Sequence, residues 1–318
     1  MPSTHTWTLT DGHAGNVRQV DALARALGLP ARAWTLQARW PWRALSPRWL
    51  PGAARAFGAE FAATLAAPPT LAIGCGRQAA LATRLLRACG ARAVQILDPR
   101  IAPRHWDLVI APEHDGLRGD NVLTLLGSLH PVDDAWLQQA RVDFAALGAL
   151  PGPRTALLIG GPSAHAALDV DDIATITTTL DAALRTQGGT LLVTVSRRTP
   201  AAVVEALRTH YAGTPHLLWT GVQEGPNPYP GLLAFADRIV CTADSVNMLS
   251  EACATNAPVF VHAPQRVRGR PARFIEALQA RGRIAALADG LAPFPVTPLR
   301  ETARIAALVR QRLGVGQS

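Results

Sequence analysis

The chain has 318 residues, of which 48% are hydrophobic, 17% charged and 5% aromatic, so general disorder is excluded and about two globular domains are expected. Net charge is +8, and because the sequence contains no lysine all 31 basic residues are arginine. That excludes Schiff-base chemistry, lysine-bound pyridoxal phosphate and a P-loop lysine, and it favours an anionic partner, although a GC-rich coding bias produces the same composition.

The first apolar run, Thr6–Leu9, reads as a strand that feeds Asp11-Gly12-His13-Ala14-Gly15-Asn16 and then a helical pattern at Val17, Val20, Leu23 and Leu27. Glycines in a strand-to-helix turn expose backbone amides at a positive helix end. Gly12, Gly15 and Asn16 are therefore candidates for holding a phosphate or a hydroxyl-rich acceptor, with Asp11 and His13 placed for proton transfer. A second strand is expected at 31–36. Beyond it, Trp40 to Leu50 packs Trp40, Trp42, Trp49, Arg43 and Arg48 into eleven residues. Two readings stand: rings buried in the fold, or a surface that meets a membrane or a lipid-linked acceptor.

Further strands are expected at 71–73, 93–97, 108–110 and 122–125. The first of these ends in Gly74-Cys75-Gly76-Arg77-Gln78, where either Arg77 and Gln78 supply donors to an acceptor or the glycines only shape the turn and Arg77 lies in solvent. Glu113-His114-Asp115 reads as a solvated turn rather than a metal site. Four cysteines lie far apart without ligand spacing, which suggests buried small residues in a reducing compartment, and no metal site is expected.

A turn-rich stretch, Leu147 to Arg154, suits a linker. Strands are then expected at 156–159, 191–195, 217–219, 239–240 and 259–261. Strand and helix in alternation predict an α/β fold of two Rossmann-like doubly wound domains facing a cleft. The expected boundaries are 1–150, 151–295 and a C-terminal helix within 296–318 that packs back on the first domain. In the second domain, Gly161 and Ser163 follow the first strand. Ser196, Arg197 and Arg198 follow the next, either as a diphosphate clamp or as a surface arginine pair after a strand. Tyr229 sits in a stiff Asn-Pro-Tyr-Pro loop suited to bordering a base. Asp244, Ser245, Met248 and Glu251 open a late helix, with Ser245 as its cap or a phosphate ligand and Glu251 as a ribose acceptor.

Taken together, Asp11 to Asn16 with Gln19, Ile73 to Gln78, Ile159 to Ser163, Ser196 to Arg198 and Ala243 to Ala252 resemble the elongated-mitochondria (mitochondrial fission) protein family over residues 6 to 265. The resemblance implies the two-Rossmann-domain architecture of GT-B glycosyltransferases, with a nucleotide sugar on the second domain and the first-domain turn on the acceptor side. The leading expectation is thus a metal-independent sugar transferase with no cofactor, using a nucleotide-sugar donor on a lipid-linked or envelope glycan. Two alternatives are a nucleotide-sugar epimerase and a non-catalytic adaptor. Dispersed arginines without a recognition motif argue against nucleic acid. No secretory leader and no apolar stretch of ~18 residues is seen, so a cytoplasmic protein, peripheral at the inner membrane, is expected.

Overall fold

A computed structural model describes residues 5–289 and 291–315 and divides the chain into two compact units, 1–131 with 301–318, and 132–300. The first unit runs β1 (Thr6–Thr10), α1 (Ala14–Ala26), β2 (Ala31–Thr35), α2 (Trp42–Leu45), α3 (Gly58–Thr64), β3 (Leu71–Cys75), α4 (Arg77–Ala88), β4 (Arg92–Ile96), β5 (Leu108–Pro112) and β6 (Val122–Leu125). Its sheet is parallel throughout, in the order β2-β1-β3-β4-β5-β6. Strands β1, β3 and β5 are buried along their whole length, because helices cover both faces of a parallel sheet. One face packs Val20, Leu23 and Leu27 on Leu71, Ile73, Ile96 and Ile110. The other packs Leu81, Leu85 and Leu86 with Trp7, Leu9 and Phe61.

The second unit runs α5 (Asp134–Asp143), α6 (Ala145–Gly148), β7 (Arg154–Ile159), α7 (Val170–Gln187), β8 (Thr190–Val195), α8 (Ala201–His210), β9 (Leu217–Trp219), α9 (Tyr229–Phe235), β10 (Arg238–Thr242), α10 (Val246–Cys253), β11 (Val259–His262), α11 (Arg270–Ala280) and β12 (Ile284–Ala286). Its parallel sheet has the order β12-β11-β10-β7-β8-β9. Asp133 caps α5, and a reciprocal capping box between Asp169 and Asp172 starts α7. The last helix, α12 (Glu301–Leu313), returns to the first unit, where Ile305, Ala306 and Val309 are fully buried against the β3–β5 face.

The chain changes unit at Pro131–Val132 rather than at the Pro/Gly stretch near 150. Gly231 of α9 explains this: a Cβ there would lie 2.6 Å from Phe144 and 2.7 Å from Leu147, so α5 and α6 are seated on α9. Strand β12 was not expected from the sequence. Cys75, Cys241 and Cys253 are buried as expected, whereas Cys89, at the end of α4, is exposed.

Candidate functional site

In each sheet the chain leaves its first strand on one side and returns on the other, between β1 and β3 and between β7 and β10. Open parallel sheets take ligands at the strand carboxyl ends beside such reversals.

At the first reversal, Asp11 Oδ1 accepts from Asn16 Nδ2 at 2.9 Å and from the His13 amide at 3.2 Å, and lies 3.0 Å from His13 Nδ1. Burial raises the Asp11 pKa, but these donors outweigh it and hold the carboxyl below its ordinary value. Asp11 is therefore a carboxylate that can fix the His13 tautomer with Nδ1–H donated to it. In that tautomer Nε2 of the exposed ring is an acceptor. Gly76, at φ +92°, brings the neighbouring turn close; a Cβ there would meet Asn16 Nδ2 at 2.8 Å. Burial, with the Asp11 charge, pushes the Cys75 thiol up, so it stays protonated and donates to Asn16 Oδ1 at 3.4 Å. No side chain caps α1 or α4. Gly12 lies in the turn at φ +82°, but Gly15 belongs to the first turn of α1.

Arg77 and Gln78 are engaged by backbone. Arg77 donates to the Ser46 and Ala44 carbonyls at 3.2 and 2.8 Å, and Gln78 Oε1 accepts from the Ala38 amide at 2.6 Å. They tether the tryptophan segment to α4. In that segment Trp40 is 83% exposed and Trp49 47%, while Trp42 is half-buried against the Leu81–Phe61 face.

At the second reversal the parts converge on Asp244, whose side chain is buried. Its Oδ2 accepts from the Gly161 amide at 2.8 Å and lies 3.5 Å from Arg198 Nη2, and its Oδ1 accepts from Thr242 Oγ1 at 2.6 Å. Gly160 donates to Thr242 Oγ1 at 2.8 Å. A methyl on Gly160 would collide with the Asp244 carboxylate, and one on Gly161 with the Arg198 carbonyl. Ser196 Oγ accepts from the Arg198 amide at 3.1 Å, and the Thr199 hydroxyl donates to the Gly160 carbonyl. Gly161, Ser196, Arg198 and Asp244 are thus brought together, and Arg197, between Ser196 and Arg198 in the chain, is exposed. Ser245 caps α10 by accepting from the Met248 amide at 3.3 Å. Tyr229 donates to Glu251 Oε2 at 2.6 Å, and Glu251 is almost wholly buried. Ser163 closes its own turn by accepting from the His165 and Ala166 amides at 3.2 and 3.1 Å.

The sequence reading passed over one group. Asp172, at the start of α7, lies 3.0 Å from His262 Nε2 and pairs with Arg266. Burial raises its pKa, but His262, Arg266 and the Asp169 amide outweigh that and leave it lowered. His262 is the last residue of β11, so attention to strand ends would have found it. Among the described residues, no three His, Cys, Asp or Glu side chains are grouped to hold a metal ion, and no helix is long and apolar enough to cross a membrane.

With this geometry in hand, the comparisons decide the family. A family model described as Mitochondrial fission ELM1 matches residues 14–313. The chain belongs to that family. The mitochondrial fission protein ELM1 of Arabidopsis thaliana is 32% identical, over 77% of this chain and 64% of its own length, so the chain spans less than two thirds of that relative. An uncharacterized protein of Rickettsia prowazekii is 23% identical over 98% of this chain and 99% of its own. Among solved structures, the UDP-GlcNAc 2-epimerase of Methanocaldococcus jannaschii has a TM-score of 0.54 at 13% identity, covering 96% of this chain and 99% of that one. Os79 of O. sativa, solved with UDP, has a TM-score of 0.53 at 14% identity, covering 98% and 94%. At these identities the likeness is one of fold, the paired α/β units of GT-B proteins.

Proposed function

We propose that the ELM1-family chain binds a nucleoside diphosphate sugar at the β7–β10 reversal of its second unit. There, the sugar is transferred to a hydroxyl of a lipid-linked or envelope acceptor, with the chain peripheral at the cytoplasmic face of a membrane. The observation that carries this reading is the pairing of two adjacent strand-end turns, the one after β7 with the Gly161 amide and the one after β8 with Ser196, Arg198 and the exposed Arg197. Guanidinium groups and hydroxyls there can neutralise a leaving diphosphate without metal. Arg198 would exchange its contact with Asp244 for a phosphate oxygen. Glu251, held by Tyr229, would accept from ribose hydroxyls. In the first unit, His13 Nε2, with Nδ1 oriented by Asp11, would bind a hydroxyl of the acceptor and take up its proton. Trp40 and Trp49 would meet the membrane.

Os79 and the Methanocaldococcus epimerase were solved with UDP, which makes UDP the first ligand to try. Calorimetric titration with uridine, guanosine, adenosine and cytidine diphosphates tests the reading. Saturable binding of one of them supports it, and no binding of any overturns it. One observation favours a second reading, a non-catalytic adaptor. Asp244 already satisfies the Gly161 amide and faces Arg198, so the turn is complete without a ligand. Absence of diphosphate binding in a folded chain would select that reading.

A further inference from the structure

At the amino ends of β4 and β5, beside the end of α4, the first unit carries a concave surface. It is a cavity of about 480 Å³ lined by Trp49, Arg84, Arg87, Arg92, His105 and Asp107. Its charge is unbalanced. Asp107 is shared between Arg87, at 3.0 Å, and the Ala93 amide, at 2.7 Å. Arg84 and Arg92 have no carboxylate partner among the described residues; they donate to the carbonyls of Pro47 and Leu313. Arg84 is half-buried with its guanidinium 5.7 Å from the Trp49 ring and 6.0 Å from Trp106, and burial lowers its pKa. Burial and then Arg84, Arg104 and Arg87 push His105 below its ordinary value, which marks a positive field in the cavity. A half-buried cation without a counter-charge is stabilised by any anion that enters.

The rim of the cavity argues for the kind of anion. Trp49 belongs to the segment that also exposes Trp40 (83%) and Leu45 (40%), and Arg77 and Arg84 fasten that segment to α4. Exposed indole rings beside unpaired arginines suit the interface of a bilayer, where rings lie at head-group depth and cations meet phosphate.

We infer that this cavity is a binding site for the phosphate of an anionic phospholipid headgroup, held by Arg84 and Arg92 with Trp49 at the bilayer interface. The inference rests on the membrane part of the proposed function and gives it a location; it does not depend on nucleotide binding. The full chain is to be sedimented with phosphatidylcholine vesicles with and without phosphatidylglycerol. Binding should require phosphatidylglycerol, and Arg84→Gln and Arg92→Gln should each weaken it about fivefold. Arg43→Gln and Arg48→Gln, in the tryptophan segment but outside the cavity, should weaken it less. Arg92 is exposed, so Arg92→Gln preserves the fold even if loss of Arg84 does not. As a second measurement, a soluble short-chain phosphatidylglycerol should move the His105 ring resonances and raise its pKa as the arginine field is neutralised. Inorganic phosphate at the same concentration should do so far less.

The outcomes separate the ideas. No vesicle binding by the parent chain overturns the membrane reading and this site together. Binding that Trp40→Ser with Trp49→Ser abolishes, but that survives loss of Arg84 and Arg92, overturns the site alone. Equal losses at Arg43, Arg48, Arg84 and Arg92 reduce it to general surface charge. An equal response to inorganic phosphate removes the lipid as its ligand.

Discussion

Single residues at the second reversal divide into those that build the turn and those that the proposed function assigns to the diphosphate. Gly160 builds it. Gly160→Ala would drive the Asp244 carboxylate away from the Gly161 amide, and forcing atoms into a packed site costs about 1 to 3 kcal/mol. Chemical denaturation should register that loss. Arg197 is one of the latter. Arg197→Ala should leave the melting temperature unchanged and weaken diphosphate binding roughly tenfold or more, since a charge-assisted bond contributes about 1.5 to 3 kcal/mol. Ser245→Ala is a poorer probe, because Ser245 caps α10 and losing a cap costs about 1 kcal/mol by itself. His114 gives a pH signature. Burial pushes its pKa down from 6.5 to about 4, against a smaller upward pull from Glu113. The fold prefers neutral imidazole, so this contribution is fully present above pH 6.5 and is lost as pH falls from there towards 4. The loss amounts to roughly 2 to 3 kcal/mol. His114→Gln should flatten the melting-temperature profile over that window; an unchanged slope would assign it to other groups.

At the scale of elements, strands were more legible than the units they join. The interior strands of a parallel sheet are apolar along their length, so Leu71-Ala-Ile73 and Val259-Phe-Val261 stand out without any partner being known. Strand β12 did not, because Ile284-Ala-Ala286 is a short edge strand with one large apolar side chain. Helical periodicity shows that α5 has a buried face but not which sheet receives it, and the turn-rich Leu147–Arg154 drew the expected boundary to itself. Attention to residues after strands found Asp11, Gly76, Gly161, Ser196 and Asp244. It could not show that Asp244 bonds the Gly161 amide, since that pairing crosses from β10 to β7. The segment 38–50 was legible only in composition, because its seating depends on Arg77, Gln78 and Arg84 of α4. The start of α7 offers the element-scale test. Asp172→Asn keeps the size of the side chain but removes the charge that His262 and Arg266 face and weakens the capping box. Asp172 is buried but the Arg266 side chain is about half exposed, so the loss should be about 1 to 3 kcal/mol. The double variant Asp172→Asn with Arg266→Gln should recover part of the loss in thermal denaturation; equal losses in the single and double variants would show that Arg266 contributes nothing.

For the whole molecule, the order of the chain and the composition of its units disagree. The first unit is opened by the N-terminal residues but closed by α12, which the chain reaches only after tracing all of the second unit. Ile305, Ala306 and Val309 are fully buried with Val20 and Leu23 of α1. The return is also fixed by polar contacts: Thr302 Oγ1 donates to the His130 carbonyl at 2.8 Å, Arg304 to the Thr124 carbonyl at 2.8 Å and Arg312 to the Asp120 carbonyl at 2.9 Å. Burying each large apolar side chain contributes about 1.5 to 3 kcal/mol, so the apolar face of α12 is comparable with the roughly 5 to 15 kcal/mol by which a domain is stable. A chain ending at residue 300 should therefore lose the first unit while the second keeps its own core of Leu157, Ile173, Leu191 and Val240. Hydrogen exchange read by peptide should show β1 and β3 to β5 unprotected in that truncation and β7, β8 and β10 still protected. Tryptophan emission should move to the red, because Trp7, Trp34 and Trp106 all lie in the first unit. Ile305→Ala, a milder version, should destabilise by about 2 to 5 kcal/mol. Protection retained across β3 to β5 in the truncated chain would show that α12 covers the first unit without being needed to form it.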